Sequence, residues 1–380
     1  MKLVEKERCV GCFACEAVCP VKCIQKVNNA DGFQYPSINN EQCLDCGSCK
    51  KVCPAESTIT PCMEKSYAVY SKVKGYADRC SSGGVFRALS EYVLNNGGAV
   101  CAAAFSSKFS VEHIIVENIE ESRRLFSSKY SQSYISPETF IKLKGLAQQK
   151  LVLFCGTPCQ VHAIKNYIGD NSNLLTIDLV CHGVPSPSVW SKYLCARSEG
   201  KDIVDVNFRD KRNLKKGYGL SISFADGSSY YNLSTVDPYL QGFINNLYLR
   251  KSCYSCEYKG KKRKSDITLG DLWKAGKVDS RLATMKYVSW VIVHNTTGNE
   301  LFQKIITDFN SLPISTDAAV QFNKSYAESP KENKKSVQFF SDLNSTQDVI
   351  QLIVRYCHMN IWEKIRRKVR NKLNRSKYNG

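Results

Sequence analysis

Cysteines are the residues of this sequence whose number and spacing most clearly indicate chemistry. Of the 19 cysteines, eight repeat one pattern, C-x2-C-x2-C-x3-C followed by proline. The first copy consists of Cys9, Cys12, Cys15, Cys19 and Pro20. The second copy, offset by 34 residues (9 to 43), consists of Cys43, Cys46, Cys49, Cys53 and Pro54. This duplicated spacing is typical of chains that hold two [4Fe–4S] clusters through thiolate sulfur.

The two repeats are expected to exchange their fourth cysteines. Three thiolates spaced by two residues can bind one cluster, and the proline then turns the chain toward the other cluster. The first predicted ligand set is Cys9, Cys12, Cys15 and Cys53. The second predicted set is Cys19, Cys43, Cys46 and Cys49. A zinc ribbon uses two C-x2-C pairs instead, so the spacing disfavours zinc.

Two glycines and two further cysteines complete this segment. Gly11 and Gly47 lie inside the cysteine loops, where backbone N–H groups must approach cluster sulfur. Cys23 and Cys62 lie outside the pattern and are interpreted as small buried hydrophobic residues rather than as ligands. Residues 1–62 are therefore predicted to form an electron-transfer module.

The composition indicates a soluble globular protein with reduced thiols. The chain has 380 residues, of which 43% are hydrophobic and 23% charged, and this length predicts two or three domains. Cysteine is too sparse for a small disulfide scaffold. The first eight residues contain no apolar segment typical of a secretory signal, and no run of about 18 apolar residues indicates a transmembrane helix. We therefore expect a cytoplasmic protein.

Strand and helix patterns after the cysteine repeats must position the rest of the chemistry. Strands are predicted at 99–105 and 111–116, and a helix is predicted after the turn Ser81-Ser82-Gly83-Gly84. A buried strand leads into Gly156-Thr157 and a further helix, with Thr157 as its N-cap. Both turns could bind a phosphate, although the signal is weak and plain helix caps explain them better. No G-x-G-x-x-G follows a strand, so a Rossmann dinucleotide site is not supported.

A second group of cysteines is scattered over about 100 residues of this region. Its members are Cys155, Cys159, Cys181, Cys253 and Cys256. They could assemble a third cluster or a zinc site. The alternative, that they are buried hydrophobic residues, suits Cys155 better than the closely spaced pair Cys253 and Cys256.

Several motifs occur in the order found in one protein family. They are SSGGVFRALSEYVLNNGG, SSKYSQS, GTPCQVHAIK, RDKR, CYSCEY and SDITLGDLW. In these motifs the chain resembles the FrhB/FdhB family, the beta subunits of coenzyme F420-dependent hydrogenases and dehydrogenases. The resemblance extends from residue 9 to residue 295 and implies a flavin, usually FAD, with an iron–sulfur cluster nearby.

The resemblance also assigns site residues. It implies Cys159, Cys181, Cys253 and Cys256 as ligands of a third [4Fe–4S] cluster, with Cys155 in reserve because the shared element is the PCQ cysteine. It implies a cofactor-site role for Lys129. It further implies flavin-phosphate contacts for Ser81, Ser82, Gly83, Gly84, Gly156 and Thr157.

The predicted fold class is α+β, with three parts. Residues 1–62 form a bacterial-type two-cluster ferredoxin domain, and residues 63–335 a mixed α/β domain that binds flavin and an iron–sulfur cluster. Residues 336–380 form a helical basic extension. At its end, Trp362, Ile365, Val369 and Leu373 lie on one face of a predicted amphipathic helix.

These parts predict an iron–sulfur flavoprotein oxidoreductase. A flavin exchanges two electrons with a substrate and single electrons with clusters, so the chain would reduce or oxidise an unidentified small molecule or an F420-like cofactor. A ferredoxin or another redox protein would be its partner. His182, beside Cys181, could donate a proton, or it could be structural. The alternatives are an electron-relay subunit without its own substrate site and a scaffolding protein that has lost its flavin.

The charge gives two further expectations. The formal net charge of +18 treats cysteine as neutral and so overstates the charge of a chain carrying anionic clusters. The segment KGKKRK at 259–264 could steer an anionic cofactor or an acidic partner, or it could be a solvated loop. The basic C-terminal helix could contact an anionic membrane at its inner face, or pack on the body of the protein. No nucleic-acid-binding module is recognised, so we expect no nucleic-acid partner.

Overall fold

A computed structural model of the chain describes residues 1–213, 217–346 and 348–357. The first elements are α1 Ala14–Val18, β1 Ile24–Asn28, β2 Gln34–Ile38 and α2 Ser48–Val52. There follow β3 Lys65–Ser71, α3 Val85–Asn95, β4 Ala99–Phe105, β5 Val111–Val116, α4 Ile119–Ser122, α5 Pro137–Ala147, β6 Val152–Gly156, α6 Pro158–Ile168, β7 Leu174–Leu179 and α7 Pro187–Ser198. The remaining elements are β8 Ile203–Asp210, β9 Gly219–Phe224, β10 Ser229–Leu233, α8 Pro238–Ile244, β11 Ile267–Asp271, α9 Ala275–Val278, β12 Ser289–Val293, α10 Thr296–Gln303, β13 Phe309–Pro313, α11 Thr316–Val320, α12 Ser336–Ser345 and α13 Val349–Cys357.

The two cysteine repeats fold in the same way. Each triplet leads into a one-turn helix, α1 or α2, and the fourth cysteine ends that helix with extended backbone angles. Cys19 has φ −70° and ψ 113°, and Cys53 has φ −68° and ψ 120°. Proline excludes the helical conformation from the residue before it, which explains why both helices stop there. The antiparallel hairpin β1–β2 joins the two repeats.

An eight-stranded mixed sheet forms the centre of the molecule, in the order β13-β3-β12-β11-β7-β6-β4-β5. Strands β4, β6, β7 and β11 are joined in that order by parallel pairs. Strand β3 has the same direction, because it is antiparallel to β12, which is antiparallel to β11. Five carboxyl ends therefore meet at one edge, the edge at which open sheets of this kind bind ligands.

Two other bodies pack around that sheet. A three-stranded sheet, β10-β9-β8, shares a hydrophobic core with α7, α8, α12 and α13, whose fully buried members include Trp190, Phe208 and Tyr239. The cysteine repeats pack on α5 and α6, where Ala14 and Val52 join the core around Phe154. The cysteine repeats therefore have a hydrophobic interface with the central sheet.

The mixed α/β fold is confirmed, and several elements coincide with their predictions. Strands β4 and β5 have the predicted bounds, and Thr157 caps α6 within a capping box. The domain boundaries at 62 and 335 remain predictions. The amphipathic helix predicted from Trp362 to Leu373 lies outside the described residues. Every helix within the described ranges is too short or too polar to cross a bilayer.

Candidate iron–sulfur and cofactor site

The structure brings together both predicted cysteine sets of the repeats. The first pocket is lined by Cys9, Cys12, Cys15 and Cys53, and also by Cys49. The second pocket is lined by Cys19, Cys43, Cys46 and Cys49, and also by Cys23. The fourth cysteine of each repeat thus lies with the triplet of the other. Helices α1 and α2 pack against each other, which brings the two repeats into contact.

The two unassigned cysteines of this segment occupy different surroundings. Cys23 is buried and its sulfur lies 3.5 Å from that of Cys19, so it belongs to the wall of the second pocket. Cys62 lies outside both pockets, with its sulfur 3.1 Å from Nδ1 of His294. Their interpretation as hydrophobic packing residues therefore describes Cys23 only in part, because that thiol directly adjoins a predicted ligand.

A third pocket contains the four cysteines preferred from the second group. Cys159, Cys181, Cys253 and Cys256 all line it. Cys159 lies in the first turn of α6, and Cys181 follows β7, so both come from the carboxyl edge of the sheet. The other two come from the segment after α8. Burial and the neighbouring thiols together raise the pKa of Cys253 to about 12.

The third pocket offers the ligand set of a cluster. Its four cysteines come from three separate segments of the chain and line one space. Each thiolate of a cubane cluster binds a different iron, so cluster ligands must stand apart in this way. The residues present therefore fit a [4Fe–4S] cluster.

Cys155, the reserve ligand, lies elsewhere. It is buried near the end of β6, and burial raises the pKa of its thiol. Its carbonyl oxygen lies 3.1 Å from Nε2 of His113, whose pKa burial lowers to about 4. Cys155 does not line the third pocket, and so its position favours a packing role.

Thr157 and His182 also line the third pocket. The Thr157 N–H donates to Oε1 of Gln160 at 3.0 Å, so the capping box already uses this donor. His182 has Nε2 2.6 Å from Oδ1 of Asn246 and Nδ1 3.4 Å from Oγ of Ser325. Burial lowers the pKa of His182. These contacts suit a structural histidine, and the proton-donor role remains a prediction.

A separate cationic cluster lies at the same edge of the sheet. We call it the anion cradle, and it consists of Ser81, Ser82, Lys129, Arg209 and Lys211. Arg209 Nη2 donates to the Ser81 carbonyl at 3.3 Å, and Lys211 Nζ lies 3.5 Å from the Ser82 carbonyl. Ser128, next to Lys129, donates its hydroxyl to Ser81 Oγ at 2.8 Å. Burial and then Arg209 lower the pKa of Lys211 to about 8.

The cradle contains a donor that nothing in the described chain satisfies. Arg209 is 6% exposed and forms an ion pair of 3.0 Å with Asp271, yet its Nε is buried without a hydrogen-bond partner among the described residues. Tyr218 and Trp273 pack over its guanidinium at 4.1 and 4.9 Å. Buried donors are nearly always paired, so this one indicates an acceptor supplied by a ligand. A phosphate-bearing cofactor fits that requirement.

Gly83 and Gly84, which follow the serines of the cradle, have structural roles in the turn before α3. The Gly83 N–H donates to Ser289 Oγ at 2.8 Å, and a Cβ at this position would clash with the Tyr287 carbonyl. Gly84 has φ +90°, a conformation that favours glycine. Gly156, at the end of β6, is the residue that connects Cys155 to the third pocket. Their predicted phosphate contacts remain predictions.

Some of these residues lie in the family motifs, but the sequence alone predicts no role for them. Arg209 and Lys211 belong to the motif RDKR, and Asp271 and Trp273 to the motif DLW. Arg250, three residues before the Cys253 pair, was missed altogether. No local signal marks it, because its partners are distant in the sequence.

The basic segment 259–264 is only partly a solvated loop. Arg263 is 4% exposed and pairs with Asp178 at 2.7 Å. Lys259 donates to the Cys181 carbonyl at 2.6 Å on the wall of the third pocket. Lys261 and Lys262 are exposed. The segment therefore supplies positive charge beside the third pocket as well as at the surface.

Two regions of the chain match known protein families. Residues 149–312 match the family described as the C terminus of the beta subunit of coenzyme F420 hydrogenase/dehydrogenase. Residues 8–57 match a 4Fe-4S dicluster domain. The resemblance to the F420 hydrogenase/dehydrogenase beta subunits is thereby confirmed. No curated protein matches the sequence.

The matched region 149–312 contains all four cysteines of the third pocket, together with Arg209 and Lys211 of the cradle. Ser81, Ser82 and Lys129 precede it in the chain. Among solved structures, a chain of the F420-reducing [NiFe] hydrogenase complex from Methanosarcina barkeri is similar, with 16% identity and a TM-score of 0.47. That match covers 74% of this chain and 92% of the other.

Proposed function

We propose that this chain is an iron–sulfur flavoprotein oxidoreductase that passes electrons between three [4Fe–4S] clusters and one FAD. The observation that carries the proposal is the third pocket, because it joins the cysteine repeats to the carboxyl edge of the central sheet. Val10 lines both the first and the third pocket. Cys49 lines both the first and the second pocket. The three cysteine sets therefore lie in series.

The second pocket is the end of the series that suits a redox partner. Cys46 is exposed, and its sulfur lies 3.4 Å from Ser48 Oγ. A ferredoxin or a partner subunit would exchange electrons there. The first cluster would connect this entry to the third, which Tyr258 and Arg263 help to enclose.

The anion cradle is the proposed FAD site. The flavin would supply the exchange of one hydride for two single electrons. Lys129 donates its ammonium to the carbonyls of Leu125, Phe126 and Ser127 at 3.0 to 3.2 Å, and so holds the segment that carries Ser128. Arg209 would direct its unsatisfied Nε at a phosphate oxygen. Trp273, which is 39% exposed, would border an unidentified small-molecule substrate or an F420-like cofactor.

Metal and flavin analysis tests the proposal. After anaerobic purification we expect about 12 irons per chain, at four irons per cluster, and one flavin. About 8 irons with flavin would assign the third cysteine set to zinc or to packing. About 8 irons without flavin, even after addition of FAD, would contradict the proposed enzymatic function. The chain would then be an electron-relay subunit without its own substrate site.

Lys129→Met is expected to weaken FAD binding. Burial lowers the pKa of Lys129 to about 7, so its ammonium is present at low pH and is lost as pH rises through neutrality. The three N–H donors of the ammonium are used by backbone carbonyls, so it acts on an anionic cofactor as a nearby positive charge and by holding its segment in place. We expect FAD to bind about tenfold more weakly to the variant, about 1.4 kcal/mol. Titration of FAD into deflavinated protein between pH 6 and 8.5 would show this loss. It would also show that the wild-type affinity falls with pH while that of the variant does not.

Lys142→Met is the matched control for this experiment. Lys142 is exposed on α5, and its Nζ lies 3.8 Å from Glu117, which is not a member of the cradle. Its replacement should leave both the affinity and the pH dependence unchanged. Equal FAD affinity of Lys129→Met and wild type at pH 6 would contradict the role of Lys129.

A further inference from the structure

Arg250 is a completely buried cation that lies between two cysteine pockets. Its side chain is 0% exposed and lines the third pocket. Its Nε donates to the Cys9 carbonyl at 2.7 Å, and its Nη2 lies 3.6 Å from the Cys9 sulfur. Cys9 belongs to the first pocket. A single guanidinium thus contacts the first predicted cluster site and borders the third.

No carboxylate of the described chain forms an ion pair with Arg250. The two other deeply buried arginines both have one: Arg209 pairs with Asp271 at 3.0 Å and Arg263 with Asp178 at 2.7 Å. The remaining donors of Arg250 go to neutral oxygens, the Gln34 carbonyl at 3.1 Å and Gln132 Oε1 at 3.0 Å. Burial of a charge is very costly unless an opposite charge compensates it. The compensation must therefore come from a group that the chain binds.

The surrounding residues fix the guanidinium in this place. It stacks on Tyr35 at 4.1 Å, and Gln132 Nε2 donates to the Gly11 carbonyl at 3.2 Å. Gly11 has φ +67°, and a Cβ there would lie 2.5 Å from Gln132 Nε2 and 2.6 Å from Arg250 Nη1. The glycine of the first cysteine loop therefore leaves room for Arg250 and Gln132. We call these two side chains the Arg250–Gln132 clamp.

From this geometry we propose that Arg250 is the countercharge of the first and third clusters and sets their reduction potentials. The inference rests on the cluster assignment of the proposed function, but not on the flavin. A [4Fe–4S] cluster with four thiolates is an anion, and one-electron reduction adds one more negative charge to it. A fixed guanidinium favours the reduced form. Net charge and hydrogen bonds to sulfur are the features that set such potentials.

Redox titration of the complete, iron-loaded protein, monitored by electron paramagnetic resonance, tests this. In Arg250→Gln we expect the first and third clusters to become harder to reduce. The expected change is at least tenfold in the reduction equilibrium, about 59 mV for one electron. The second cluster, which does not adjoin Arg250, should keep its potential and serves as an internal reference. Arg250→Lys keeps the charge and should shift the potentials less.

Two more variants separate charge from structure. Gln132→Glu would place a carboxylate beside the guanidinium and should shift the potentials in the same direction while Arg250 stays in place. Lys251→Gln removes the adjacent positive charge, which is exposed and lies 3.4 Å from Glu7. That control should change neither iron content nor potential. If Arg250→Gln does not bind iron, the result for Gln132→Glu tests the proposal instead. Unchanged reduction potentials in Gln132→Glu would then overturn the countercharge role.

The outcomes distinguish this inference from the proposed function. If Arg250→Gln binds the full amount of iron and its reduction potentials are unchanged or more positive than those of the wild type, the countercharge role is overturned. The cluster assignment would then still stand. Fewer than about 8 irons in the wild type, too few for two clusters, overturns the cluster assignment and the countercharge role together.

Discussion

Replacing Cys253 and Cys256 together by alanine is expected to lower the iron content from about 12 to about 8 atoms per chain, one cluster of four irons. Both cysteines line the third pocket, and two thiolates cannot hold a cubane that needs four. The first and second pockets contain neither residue and should keep their clusters. In the proposed electron route the third cluster precedes the flavin, so reduction of the flavin through the repeats should also stop. Iron analysis and the rate of flavin bleaching by a reduced ferredoxin measure the two effects.

Two single variants serve as controls for this prediction. Cys195 is exposed on α7, outside all three pockets, and Cys195→Ala should keep about 12 irons. Cys155→Ala should do the same, because Cys155 lies within β6. Loss of about four irons in Cys155→Ala would transfer the ligand role to that residue. A full iron content in the double variant would contradict the third cluster.

Asp178→Ala is expected to destabilise the fold by about 3–5 kcal/mol, the usual cost of leaving one partner of a buried ion pair alone. The side chains of Asp178 and Arg263 are both 0% exposed, and their atoms Oδ1 and Nη1 are 2.7 Å apart. The Thr268 hydroxyl donates to the same Oδ1 at 2.5 Å. Urea unfolding under anaerobic conditions would measure the change in the free energy of unfolding.

A double-mutant cycle and a surface pair complete this test. Arg263→Met combined with Asp178→Ala removes both charges, so it should recover part of the stability lost in Asp178→Ala. Arg281 and Asp279 form a surface ion pair of 2.6 Å, and Arg281→Ala should lower the stability far less than Asp178→Ala does. A loss below about 1 kcal/mol in Asp178→Ala would show that the buried pair does not stabilise the fold.

The sequence predicted best those features that depend on spacing along the chain. The grouping of these cysteines in two pockets could be predicted because a cluster accepts few spacings, and the exchange of Cys19 and Cys53 agrees with the proline that follows each. Their role as ligands stays a prediction. In β4 and β5 the apolar residues alternate or form a short run, so the bounds of these two strands could also be predicted. The third set of cysteines could be selected only with the help of the family resemblance. Cys159 and Cys253 are brought together only by the folding of the intervening 93 residues (160 to 252).

Features that depend on distant partners could not be predicted. Arg263 lies in a run of basic residues typical of a surface, and only Asp178, 85 residues away, explains its burial. Arg209 has its partner Asp271 on another sheet. Strand β3 borders β12 and β13 from the far end of the domain, and its residues 65–71 lie where the sequence indicated only a domain boundary. In each case the decisive neighbour comes from a part of the chain that no local pattern identifies.

The Arg250–Gln132 clamp also has a consequence for the order of synthesis. The cysteine repeats leave the ribosome before the central sheet, and domains generally fold in the order in which they emerge. Yet the loop from Cys9 to Gly11 is held by side chains that are made 121 and 241 positions later. Until residue 250 has emerged, this loop lacks the groups that fix its backbone. We therefore expect stable insertion of the first proposed cluster only after most of the protein has been translated.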